Sequence, residues 1–138
     1  MKPGHRGNPN RMKIERTIQD SVTVLAPVGR IDTTTSGTLE EAIRHTVDGG
    51  ARDLLIDLSG ADYISSAGLR VFLGLATRLR DLSGRLVLCG MGHPVRQVFQ
   101  LAGFLPDFTV EPSRSAALIR LSSKGDTTDT ADVGRAQP

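Results

Sequence analysis

The sequence is poor in aromatic residues and has a single cysteine. Aromatic residues make up 4% of the 138 residues, and tryptophan is absent. So few stacking side chains, together with arginines that are scattered along the chain, argue against a dedicated nucleic-acid-binding surface. The lone Cys89 cannot form an internal disulfide, and its position at the end of an apolar run predicts a small core residue. We therefore expect no direct contact with DNA and no redox role.

Long hydrophobic runs are also missing. No stretch approaches the roughly 18 apolar residues that a membrane span needs, and residues 1–10 lack the apolar segment of a secretory signal, so we expect no membrane span and a cytoplasmic location. A hydrophobic content of 38% suits one domain with a real core. We expect a mobile leader over residues 1–11, one domain over residues 12–122, and a disordered tail over residues 123–138, where large apolar residues become scarce.

The most organised pattern lies between Asp53 and Gly90. Leu54 to Leu58 is an apolar run, interrupted only by Asp57, that is typical of a strand covered on both faces. Residues 59–62 are predicted as a turn. An amphipathic stripe then predicts a helix over residues 66–82, and residues 85–89 predict a second strand. A strand, helix and strand joined this closely indicate a parallel crossover.

The flanking segments complete an α/β fold. Residues 12–17 and 21–28 predict an antiparallel hairpin at the sheet edge, with Pro27 at the end of its second strand or at an edge. The other predicted elements are a loop at residues 29–32, a helix that ends at Gly49-Gly50, a helix at residues 94–102, a short strand at residues 108–110 and a helix from Ser113 to Leu121. The whole is predicted as a mixed sheet of four to five strands with about four helices and a central parallel β-α-β crossover.

Two serines, Ser65 and Ser66, lie where the chain enters the central helix. The first turn of a helix exposes unpaired N–H groups and the positive end of the macrodipole, which stabilise a phosphate. The alternative is that one serine only caps the helix, which contributes about 1 kcal/mol. Spacing alone leaves both interpretations open.

Complete catalytic motifs are absent. The helix start reads I-S-S-A-G, not the Gly-x-Ser-x-Gly of a hydrolase, and the chain has neither a Gly-Lys-Ser/Thr phosphate loop nor paired cysteines for a metal. Asp32, Asp57 and Asp62 could hold Mg²⁺ near Ser66, but a cap, a strand end and a turn explain them as well. We expect no enzyme activity, no cofactor and no metal, so a hydroxyl at this helix start would be a substrate rather than a nucleophile.

Several segments resemble the STAS domain of bacterial anti-sigma-factor antagonists, over about residues 12–122. They are Asp57-Leu58-Ser59, Tyr63-Ile64-Ser65-Ser66-Ala67-Gly68-Leu69 with Val71-Phe72-Leu73, Gly29-Arg30-Ile31-Asp32, and Leu88-Cys89-Gly90 with residues 95–104. The resemblance implies an antagonist that binds an anti-sigma factor serine kinase while unphosphorylated and so releases a sigma factor. Phosphorylation by that kinase ends the binding, and a serine phosphatase resets the switch.

The same resemblance implies site residues. Ser66 aligns with the phosphorylated serine, and Ser65 is the second choice because it stands where the best-known antagonists have aspartate. The implied partner-binding residues are Gly29, Arg30, Asp32, Ser65, Ser66, Gly68, Leu69, Gly90 and Met91.

Two other interpretations stay open. The chain could be an unphosphorylated STAS scaffold in a stress-sensing complex or a lipid-transport ATPase, or a STAS module that binds a nucleotide near Ser66. The sequence assigns no oligomeric state.

Overall fold

The computed structural model describes residues 12–122, so the predicted leader and tail lie outside the described residues. Strands and helices alternate along this part of the chain. They are β1 (Lys13–Gln19), β2 (Val22–Ile31), α1 (Ser36–Asp48), β3 (Asp53–Asp57), β4 (Ala61–Ile64), α2 (Ser66–Asp81), β5 (Arg85–Cys89), α3 (His93–Ala102), a short 3₁₀-helix (Leu105–Asp107), β6 (Thr109–Glu111) and α4 (Arg114–Ser122).

The strands form one mixed sheet in the order β1-β2-β3-β5-β6. Strand β1 is antiparallel to β2, and the remaining neighbours are parallel. The short β4 lies off this order and pairs in parallel with the end of β2. The predicted α/β class, the mixed sheet, the four helices and the β3-α2-β5 crossover are all confirmed.

Apolar side chains cover both faces of the sheet. On one face, α1, α2 and α3 pack their buried residues, among them Phe72 and Phe99, against Leu54 and Ile56. On the other face, α4 covers Leu55, Val87 and Cys89. Every residue of β3 is buried, as its apolar run predicts. Burial raises the pKa of the Cys89 thiol to about 12, which fits the predicted core role.

The segments predicted as a loop at residues 29–32 and a turn at residues 59–62 are each partly strand, and the predicted turn holds only for residues 59–60. Strand β2 continues through Pro27 to Ile31, and β4 begins at Ala61, with Gly29 paired to Ala61. Strand β2 pairs with β3 over residues 23–25 and with β4 over residues 29–31. Pro27 lies between these two segments, where β2 has no parallel partner, so its missing N–H does not end the strand.

Candidate functional site

The candidate site lies where β2 and β4 end and α2 begins. The Ser65 N–H donates to the Ile31 carbonyl over 2.8 Å, which ties the start of α2 to the end of β2. The Ser65 Oγ accepts a hydrogen bond from the Gly68 N–H over 3.4 Å, so Ser65 is the N-cap of α2. Ser65 is half-buried in this position.

Ser66 is the first residue of α2 and is exposed. Its side chain has no hydrogen bond to another residue between 12 and 122, whereas the Ser65 side chain caps the helix. The structure therefore separates the two serines: one holds the helix start, and the other presents its hydroxyl to solvent.

The first turn of α2 approaches the sheet very closely. A Cβ atom on Gly68 would lie 2.6 Å from Ile31 Cγ2 and 2.8 Å from Ile64 Cγ1. Leu69, the next residue, is 2% exposed. Gly68 is thus packed against the ends of β2 and β4, and both Gly68 and Leu69 are buried rather than on the surface of the helix.

The last residues of β2, together with Asp32, form a charged edge beside the start of α2. The Arg30 guanidinium lies 4.3 Å from the centre of the Tyr63 ring, and its Nε donates to Asp32 Oδ2 over 3.3 Å. Asp32 Oδ1 accepts from both the N–H and the hydroxyl of Thr34. The Thr34 hydrogen bonds, helped by Arg30, hold the pKa of Asp32 at about 2, so this carboxylate stays charged. Gly29 precedes the pair with a positive φ of 104°.

Gly90 and Met91 lie farther along the same sheet edge, after β5. A Cβ atom on Gly90 would lie 2.9 Å from Asp57 Oδ1 and 3.1 Å from Ser59 Cβ, and Gly90 has a positive φ of 73°. This loop leads into α3, which packs against β4. The structure therefore groups Arg30 and Asp32 with the serines and places Gly90 against Asp57.

Asp57 is held by Arg114, which lies on a distant segment and belongs to no motif with it. Its Oδ2 accepts from Arg114 Nε over 2.9 Å, and its Oδ1 accepts from the Ser59 N–H over 3.0 Å. Burial raises the pKa of Asp57, but the Ser59 hydrogen bonds and Arg114 outweigh it and lower the pKa overall. Asp32 and Asp57 thus have separate partners, and residues 12–122 contain no group of three side chains placed to hold a metal.

Replacing Arg114 tests this ion pair. Arg114→Met is expected to lower the free energy of unfolding by about 2 kcal/mol, because it leaves a buried carboxylate without its cation. The value is below that of a fully buried pair because the Arg114 side chain is 38% exposed. Urea unfolding followed by circular dichroism at pH 7 measures the change, with the exposed Arg96→Met as the matched control.

The same pair predicts a pH dependence. Because the pKa of Asp57 is lowered in the folded state, its contribution is complete above the unfolded carboxyl pKa of about 4 and is lost as the pH falls through the folded value. The difference between wild type and Arg114→Met should therefore shrink in acid. A difference that is equal at pH 7 and at strongly acidic pH would contradict the role given to this pair.

No helix within residues 12–122 has the length and apolar character that a membrane crossing requires.

Comparisons with known proteins agree with the fold and the motifs. The STAS domain family matches residues 13–117. BtrV of Bordetella bronchiseptica, a proposed anti-sigma factor antagonist, is 42% identical over 106 residues, which cover 77% of this chain and 91% of BtrV. The anti-sigma-B factor antagonist of Staphylococcus aureus is 28% identical over 67% of this chain and 85% of its own length.

A solved structure also supports the assignment to this family. The crystal structure of an anti-sigma factor antagonist from Mycobacterium paratuberculosis superposes with a TM-score of 0.76 and 27% identity, over 83% of this chain and 97% of that one. The chain therefore belongs to the STAS domain family, and within it to the bacterial anti-sigma-factor antagonists.

Proposed function

We propose that this antagonist is a partner switch controlled by phosphorylation of Ser66. While Ser66 is unmodified, the chain binds an anti-sigma factor that is also a serine kinase, and a sigma factor is released. Phosphorylation of Ser66 ends the binding, and a serine phosphatase restores it. The chain acts in the cytoplasm as a binding protein and as a kinase substrate, without catalysing a reaction itself.

One observation carries the proposal: only one of the two serines is free to react. The Ser65 Oγ is engaged by the Gly68 N–H, while Ser66 is exposed on the first turn of α2. A kinase needs an accessible hydroxyl on a fixed scaffold, and it supplies the nucleotide, the metal and the base. Ser66 meets this requirement, and Arg30 and Asp32 lie at the adjoining strand end, where a docked kinase would contact them.

The reaction is phosphoryl transfer from ATP. The bond from Ser66 Oγ to the γ-phosphorus forms, the bond from that phosphorus to the β,γ-bridging oxygen breaks, and ADP leaves. The hydroxyl proton passes to a base of the kinase. The product carries about −1.5 to −2 charges at the start of α2, where the helix dipole stabilises it in the folded domain.

The charge of the phosphate on Ser66 weakens binding of the anti-sigma factor. A docked partner has to desolvate the phosphate dianion, and this cost is absent when Ser66 carries only a hydroxyl. A loss of about 3 kcal/mol corresponds to about two orders of magnitude in affinity, which is enough to exchange partners without a change of fold.

Kinase treatment followed by mass spectrometry tests the assignment. The kinase is captured from the native cell on the immobilised chain, purified, and mixed with ATP and the wild type, Ser66→Ala or Ser65→Ala chains. We expect one phosphate on the peptide that contains both serines in wild type and Ser65→Ala, and none in Ser66→Ala. Phosphate on neither serine of the wild type would favour the scaffold interpretation, and phosphate in Ser66→Ala but not in Ser65→Ala would move the site to Ser65.

A further inference from the structure

A groove between α1 and α2 has more positive than negative charge. It encloses about 240 Å³ above a floor that includes Ile43 and Leu75. Its charged lining residues are three arginines and one glutamate: Arg44, Arg70, Arg78 and Glu40.

The three arginines differ in their partners. Arg78 Nη2 lies 2.6 Å from Asp48 Oδ1, and this hydrogen bond lowers the pKa of Asp48. Arg44 and Arg70 are exposed, and neither has a carboxylate within ion-pair distance among residues 12–122. Arg44 still helps to lower the pKa of Asp48, so Arg70 is the groove arginine that is available to a further anion.

Ser66 lies on the line of α2 residues that borders this groove. Arg70, Gly74 and Arg78 line the groove at intervals of four residues, and Ser66 stands four residues before Arg70. Side chains four apart on a helix are neighbours, and helical side chains lean toward the N-terminus, so Arg70 extends toward Ser66. Ser65 has no such neighbour, because the residue four positions after it is the buried Leu69.

We propose that Arg70, the groove residue one helical turn after Ser66, binds a phosphoryl group carried by Ser66. Phosphorylation then has two effects on the surface: it adds negative charge at the start of α2, and it neutralises Arg70, which the unmodified groove leaves exposed. The biological relevance of this contact rests on the proposed function, but the contact itself does not depend on the kinase. The other charged groups on the adjoining elements are Arg30 near the end of β2, Asp32 just after that strand, and Glu40 and Arg44 on α1.

Phosphorus NMR of the phosphorylated chain tests the contact. Phosphoserine is installed at position 66 during translation, and the second pKa of the phosphate is measured at low ionic strength. We expect this pKa to be about 0.3 unit lower in wild type than in Arg70→Gln, because a nearby cation favours the dianion. Arg70→Lys should recover most of the shift, since the charge is kept.

Two controls separate this contact from a general effect of charge. Arg80→Gln removes an exposed arginine of the same helix that does not line the groove, and it should leave the phosphate pKa unchanged. With phosphoserine installed at position 65 instead, Arg70→Gln should have no effect.

Equal phosphate pKa values in wild type and Arg70→Gln would overturn the proposal. Arg70 is exposed, so the variant is expected to fold, and its circular dichroism spectrum checks this. Because the phosphate is installed without a kinase, failure of this test leaves the kinase assay unaffected. Failure of the kinase assay likewise leaves this result standing.

Discussion

Ser66→Asp is expected to weaken binding of the cognate anti-sigma factor by about 10-fold to 100-fold, while Ser66→Ala binds at least as tightly as wild type. Aspartate places one negative charge at the start of α2, less than the −1.5 to −2 of phosphate, so its effect is smaller than that of the modification. Alanine removes the hydroxyl that is modified and adds no charge. Calorimetry with the purified kinase, in the absence of ATP, measures both affinities.

The cap at Ser65 supplies the matched control. Ser65→Ala removes the oxygen that accepts from the Gly68 N–H and should cost about 1 kcal/mol of stability. Ser66→Ala removes no such bond and should leave stability nearly unchanged. If Ser66→Asp and Ser66→Ala bound the anti-sigma factor equally well, the charge at this position would not control docking.

The central crossover was predictable because its signals are local and repeated. Strand β3 has three consecutive apolar residues at its centre, and α2 has apolar residues at helical spacing along its whole length. Strand β4 and the end of β2 carry no such repetition. Apart from the small Ala61, their buried side chains are Ile31 and Ile64, which are covered by helices that come from other parts of the chain. A short strand whose burial depends on packing against distant segments has no periodic apolar pattern from which it could be predicted.

The roles of the two serines could not be separated from the sequence for a related reason. Which of them caps α2 depends on a shift of one residue in the helix start, and both are acceptable caps. The structure sets that start through the bond from the Ser65 N–H to the Ile31 carbonyl. The contact between Arg30 and Tyr63 follows from the β2-β4 register, so it could not be predicted without predicting β4. The pairing of Asp57 with Arg114 joins residues on distant segments and has no local signal.

Gly68→Ala is expected to lower the free energy of unfolding by about 2 kcal/mol, although alanine is the better helix former. The added methyl would lie 2.6 Å from Ile31 Cγ2 and 2.8 Å from Ile64 Cγ1. Both isoleucines are 0% exposed, so neither can move aside without disturbing the core. Relief therefore has to come from a shift of the first turn of α2, which carries Ser66. Urea unfolding measures the loss of stability, and the affinity for the anti-sigma factor should fall with it.

Gly74→Ala is the control on the same helix, with the opposite expected sign. A Cβ atom on Gly74 would meet nothing within 4 Å, so only the helix propensity changes, and stability should rise by up to about 1 kcal/mol. If both alanine variants were stabilised, the close approach of α2 to β2 and β4 would not be what fixes the helix start. If only Gly68→Ala lost stability and affinity, the position of Ser66 would depend on the absence of a side chain at residue 68.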